Sequence, residues 1–180
     1  LVIALLLGLA LTSGLALFAL RARDEAVRQR AEAEGLIEFM LGDLRKKLEP
    51  PGKLGALDTL GEHALAFYQR QDAGALDPDS LGRRARVVQL IGEIQDQRGN
   101  LDSALANFET AAASTAELLA RDPNNARRIF DHAQSVYWVG YIAYRRGNFA
   151  KAEPAFEKYR QLAEQLVRLD PANPQWRAEI

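Results

Sequence analysis

GEIQDQRGNLDSALANF at residues 92–108 and GYIAYRRGNFAKAEPAF at residues 140–156 decide the fold of this chain. Laid over each other at an offset of 48, Gly92, Gly99, Asn100, Ala104 and Phe108 fall on Gly140, Gly147, Asn148, Ala152 and Phe156. The agreement continues beyond the quoted stretches. Asp122, Pro123 and Asn125 fall on Asp170, Pro171 and Asn173, Arg98 falls on Arg146, and Leu101 on the apolar Phe149. Recurrence at one fixed offset without a gap marks an internal repeat.

Each unit reads as two helices. In the second unit, Ala126 to Arg146 is one helix and Phe149 to Leu169 the next. Gly147-Asn148 is the turn between them, with glycine in the C-terminal capping position. Asp170-Pro171 ends the unit, because proline cannot continue a helix and disfavours helix in the residue before it. Ala104 and Ala152 are small enough to let paired helices approach, and Phe108 and Phe156, one turn on, fill the space between them. Neither unit can bury its apolar stripe alone, so stacking is required. Within the second unit Tyr137, Tyr141 and Tyr144 recur at spacings of four and three and form one stripe, with Trp138 on an adjacent face. Spacing leaves two readings open for the stripe: core against the preceding hairpin, or a binding surface.

The order Gly, Gly, Ala, aromatic, Pro resembles the tetratricopeptide repeat, carried by Gly92/Gly99/Ala104/Phe108/Pro123 and Gly140/Gly147/Ala152/Phe156/Pro171. The family repeat has about 34 residues, so a spacing of 48 implies helices about two turns longer. Tyr159 also stands where the family has a small residue, whereas Ala111 keeps it. The resemblance implies a right-handed solenoid of antiparallel helix hairpins whose first helices line a concave surface. That surface would carry Gln134, Tyr137, Tyr141, Tyr144 and Arg145 from one unit and Arg86, Gln89, Glu93, Asp96 and Gln97 from the unit before it. The core would then take Val136, Val139, Gly140 and Ala143.

Upstream, Asp24 to Leu48 is amphipathic, with Leu36, Ile37, Met40, Leu41, Leu44 and Leu48 on one side. Pro50-Pro51-Gly52 breaks it. Leu54 to Gln71 is a further helix with Leu57, Leu60, Ala64, Phe67 and Tyr68 inward, Asp72 to Asp79 is a loop, and Asp79 or Ser80 caps the next helix. Residues 1–20, LVIALLLGLALTSGLALFAL, carry no charge, and twenty residues of helix match the roughly 30 Å core of a bilayer. Arg21, Arg23, Arg28 and Arg30 follow at once.

The expected all-α architecture is therefore a transmembrane helix at 1–20, a juxtamembrane helix at 21–48 opening a degenerate repeat completed at 49–78, repeats at 79–125 and 126–173, and the start of another helix at 174–180. Leu1 in place of methionine, and a helix opening at Pro174, read as a piece of a longer protein. Span, EGLIEFMLGDLRKKLEP at 34–50 and long hairpins together resemble bacterial single-span signalling proteins in which a kinase or receptor-like module precedes the span. The expected placement is a single-pass membrane protein, with the side of the repeats undetermined.

Composition narrows the chemistry. Net charge is −1 across 180 residues, against the clearly basic face that nucleic acid requires. The chain has no cysteine, which excludes disulfides and thiolate catalysis. His63 and His132 are far apart and lack metal-ligand company, Glu62-His63 has no HExxH continuation, and no phosphate loop occurs. The expectation is a non-catalytic scaffold without cofactor or metal, binding a protein or peptide and contacting lipid through residues 1–20. The alternative is a dimerising region that transmits a signal to an upstream effector across the membrane.

Overall fold

The computed structural model describes residues 2–48, 54–71 and 76–179, with side chains at 13–42, 59–68, 70–71 and 76–179. The sequence breaks assigned to Pro50-Pro51-Gly52 and to residues 72–75, and the side chains of Leu44, Leu48 and Leu57, lie outside this description. Every regular element described is an α-helix: α1 (Val2–Leu48), α2 (Leu54–Gln69), α3 (Pro78–Gln97), α4 (Leu101–Arg121), α5 (Ala126–Arg145), α6 (Phe149–Leu169) and α7 (Pro174–Arg177). Two compact units result, residues 1–36 and 37–180.

The first unit is the leading part of α1. From Ser13 to Gln29 every residue is exposed, and Glu25 ties to Arg28 and Gln29 along the helix. The transmembrane expectation is corrected here. Among the described residues no helix is long and apolar enough to cross a membrane. From Arg21 to Glu38 no more than three consecutive residues lack a charge. The single-pass membrane placement falls with the span.

The second unit packs adjacent helices in pairs, α3 with α4 and α5 with α6, and α4 in turn against α5. This arrangement is compatible with a helical repeat. Both pairs turn in the same way. At Gly99 (φ 82°) the glycine N–H reaches the Asp96 carbonyl and Asn100 N–H reaches Gln95. At Gly147 (φ 71°) the partners are Tyr144 and Ala143. These are the two bonds of a Schellman cap, which needs a left-handed residue at its turn. A Cβ at either glycine would meet nothing within 4 Å, so the cost of a side chain is backbone strain alone. Gly147→Ala is expected to lose about 1 kcal/mol in urea unfolding, and an unchanged midpoint would contradict this account of the turn.

Gly92 and Gly140 serve a different end. A Cβ at Gly92 would lie 2.7 Å from the Phe108 ring, and one at Gly140 would lie 2.9 Å from the Ala155 Cβ. Both glycines therefore allow the close approach of paired helices. Ala104, Phe108 and Ile142 form a buried cluster between hairpins, with Leu101, Leu105, Trp138, Val139 and Tyr141 packed around it. Leu41, Ala64, Tyr68, Val87, Ile91 and Ile94 form another, and Ile129, Ala133, Leu162 and Leu166 a third.

Several finer expectations change. Leu36, placed on the inner side of its helix, is 58% exposed. The cap of α3 is Asp77, which accepts from Asp79 and Ser80 N–H, with Pro78 at the first helical position. The inward stripe of α5 runs through Ile129, Ala133 and Ile142 as well as Gly140 and Ala143, while Val136 and Val139 are half-buried.

Candidate functional site

The candidate residues sit on α3 and α5, the first helices of successive pairs. Arg86, Gln89, Glu93 and Asp96 plus 48 give Gln134, Tyr137, Tyr141 and Tyr144, so the two sets occupy equal registers. What joins them is a run of polar contacts. Arg86 bridges two acids, Glu38 of α1 through Nε and Asp131 of α5 through Nη1 at 2.9 Å. The Gln89 side chain meets Ser135 Oγ at 3.2 Å and donates to Glu93 at 3.3 Å. Asp96 accepts from Arg145, and Gln134 donates to Glu179 at 2.8 Å. Flanking pairs add Arg128 to Asp79 at 2.9 Å and Arg146 to Asp102.

The stretch carries much of its polarity inside. Glu93, Asp131, His132 and Ser135 are buried. Asp131, with its side chain only 4% exposed, is held by Arg86 and by Arg127 at 3.0 Å. A buried carboxylate needs such partners, because leaving it alone would cost several kcal/mol. A pocket of about 210 Å³ opens between these helices, with Glu38, Arg86, Gln89, Phe130 and Gln134 in its wall.

The tyrosines divide. Tyr137 and Tyr141 are half-buried and stack on each other with centroids 6.1 Å apart. Tyr137 also meets Phe156 at 5.8 Å and Tyr159 at 5.4 Å. Arg145 lies over the Tyr141 ring, 5.8 Å from its centroid. Tyr144 is 56% exposed and touches Phe149 edge-on. Trp138 stacks flat on Phe108 of the preceding pair, 5.2 Å away. The stripe thus begins in packing and ends in solvent. Tyr159 donates to Glu179, and burial together with that carboxylate pushes its phenol well above the usual tyrosine range.

Sequence reasoning passed over two features. One is Trp138 as the ring that joins two hairpins, readable from its spacing of four to Ile142. The other is the set of cross-pair ions, readable from opposite charges 44 to 49 residues apart. His63 is exposed on α2. His132 is buried, with Nδ1 3.1 Å from Thr115 Oγ1. Burial first, and Lys158 second, lower its pKa to about 4. The unfolded imidazole takes a proton near pH 6.5, but the folded one only near 4, so stability falls as pH drops through that interval. The loss is on the order of 2 kcal/mol. His132→Gln should flatten the pH dependence of the urea midpoint between pH 6.5 and 4; an unchanged slope would contradict this.

Among the described residues no group of histidines and acids is placed to hold a metal ion. No family model, no curated protein and no solved structure matches the chain.

Proposed function

We propose that this chain is a tetratricopeptide-like repeat scaffold that binds a protein or peptide segment on the face shared by α3 and α5. One observation carries the reading. At equal registers the face passes from paired polar side chains on α3 to aromatic ones on α5, ending at exposed Tyr144 beside Arg145. Tyrosine and arginine give contact area and hydrogen bonds at small entropic cost. The ion pairs beneath them hold the face in one arrangement, which lowers the ordering cost of binding. The reading gives the described residues no catalytic role.

A photo-crosslinking amino acid at position 144, compared with one at Glu117 on the equally exposed outer side of α4, tests it in cells. A discrete protein adduct from 144 and none from 117 is the expected result. Equal adducts from both positions, or none from 144 in a folded chain, would refute it. Tyr144→Ala is expected to weaken capture of that same partner about tenfold with helicity unchanged.

A second reading, homodimerisation through the leading part of α1, is favoured by the exposure of Leu15, Leu17, Phe18 and Leu20. Sedimentation should then show a dimer that Phe18→Glu dissociates. A monomer at micromolar concentration would remove this reading.

A further inference from the structure

We propose that the pocket between the leading turns of α3 and α5 binds a phosphate monoester. The site goes beyond the partner-binding face ending at Tyr144, meets it only at Arg86, and lies at the opposite end of α5. The pocket has a volume of about 280 Å³ and is lined by Asp79, Arg83, Arg86, Asn125, Arg127 and Arg128. Four of these six are arginines, set against one carboxylate, so the pocket is built for an anion.

Gly82 is what lets the cations converge. A Cβ built there would stand 2.6 Å from Arg128 Nη1 and 3.5 Å from Arg86 Nη1. Both guanidiniums therefore reach over the same bare backbone, where a side chain would push them aside. Like charges brought this close repel unless anions lie among them. Carboxylates supply part of that compensation. Arg86 is held by Glu38 and Asp131, and Arg127 shares Asp131 at 3.0 Å. Arg83 donates to Ser80 Oγ at 3.0 Å. Arg128 differs, because its partner is free to turn away. The Arg128 side chain is 12% exposed, whereas that of Asp79, 2.9 Å from it, is 80% exposed. α3 and α5 also begin at this pocket, and their positive ends add to the field of the guanidiniums.

Asp79 marks the chemistry of the occupant. It is a carboxylate already resting on Arg128 from the solvent side. A second carboxylate would replace it like for like and gain little. A phosphate monoester brings nearly two negative charges and three acceptor oxygens, which several arginines can bind at once. Clusters of arginine recognise phosphorylated segments in this way. The group arrives either on a serine or threonine of a protein segment or on a small soluble ester, and the chemistry at the pocket is the same.

NMR titration of the isotope-labelled full chain at constant ionic strength tests the site, with inorganic phosphate and the peptide acetyl-Gly-phosphoserine-Gly-amide as probes. Saturable shifts are expected at the amides of Asp79, Ser80, Arg127 and Arg128. Arg128→Gln should weaken binding at least about tenfold, as loss of a hydrogen bond between charged groups does. Gly82→Ala should also weaken it, with the urea midpoint held or raised, because alanine is the better helix former and only side-chain ends must move. Asp79→Asn should act the opposite way and tighten binding about two- to fivefold, by removing the resident carboxylate. No saturable shift from either probe would overturn the proposal. So would equal affinity in the unaltered chain, Arg128→Gln and Gly82→Ala, or weaker binding by Asp79→Asn. Equal binding of the unphosphorylated serine peptide would overturn it too. Tighter binding of the phosphopeptide than of free phosphate would support a protein segment as the source, and the reverse a small ester. None of these readouts involves Tyr144, so the site can fail while the partner-binding face stands.

Discussion

Phe108→Ala should cost about 3–5 kcal/mol, and the repeat-equivalent Phe156→Ala about half as much. The two residues share their place in the motif but not their surroundings. Phe108 is fully buried, its ring faces the bare Cα of Gly92, and Trp138 stacks on its other side. Truncation there leaves a cavity closed on both faces, and the neighbouring helices cannot collapse into it without moving each other. Phe156 has Gly140 and Tyr137 beside it but opens onto a groove along α6. Water can fill what its ring leaves, and less apolar surface returns to solvent. Urea unfolding of the two variants measures the difference. Equal losses would mean that the repeat motif, rather than its cover, sets the energetics.

Arg86→Met should lose about 2–3 kcal/mol, and Asp131→Asn in the same chain should recover most of it. Arg86 is three-quarters buried between Glu38 and Asp131, and Asp131 is almost wholly inaccessible. Without the guanidinium the Asp131 carboxylate keeps only Arg127, which is largely exposed and holds its charge in solvent. Much of the loss is then the penalty of a stranded charge, which the amide removes. An exposed pair such as Arg160 with Glu157 should change stability by less than about 1 kcal/mol when broken. If Asp131→Asn adds to the damage instead, the pair contributes attraction of its own rather than mutual cover.

The hairpins were legible because their punctuation is local. Gly99-Asn100 and Gly147-Asn148 specify a left-handed cap, and Asp122-Pro123 and Asp170-Pro171 specify a stop, wherever they occur. The inward face was less legible. Trp138 and Tyr141 are half-buried neighbours on the same helix, and which of them stacks on Phe108, thirty residues away, depends on the preceding pair. Spacing within one helix cannot rank two aromatic rings that both fit. The partners of the charged candidates were not legible for a related reason. Arg86, Gln89 and Asp96, placed by the resemblance on the concave surface, each find a partner 45 to 49 residues on, which spacing within one helix does not indicate. The apolar run at 1–20 suggested a span through composition alone. Among the described residues no helix is long and apolar enough to cross a membrane.

The central claim is that the α3–α4 and α5–α6 pairs form one stacked scaffold in which each hairpin completes its neighbour's core. Hydrogen exchange on Trp138→Leu tests it most directly, because Trp138 belongs to α5 but rests on Phe108 of α4. The account predicts faster exchange in α4 around Ala104 and Phe108 as well as in α5. Faster exchange confined to α5 and α6, with α4 protected as before, would contradict it.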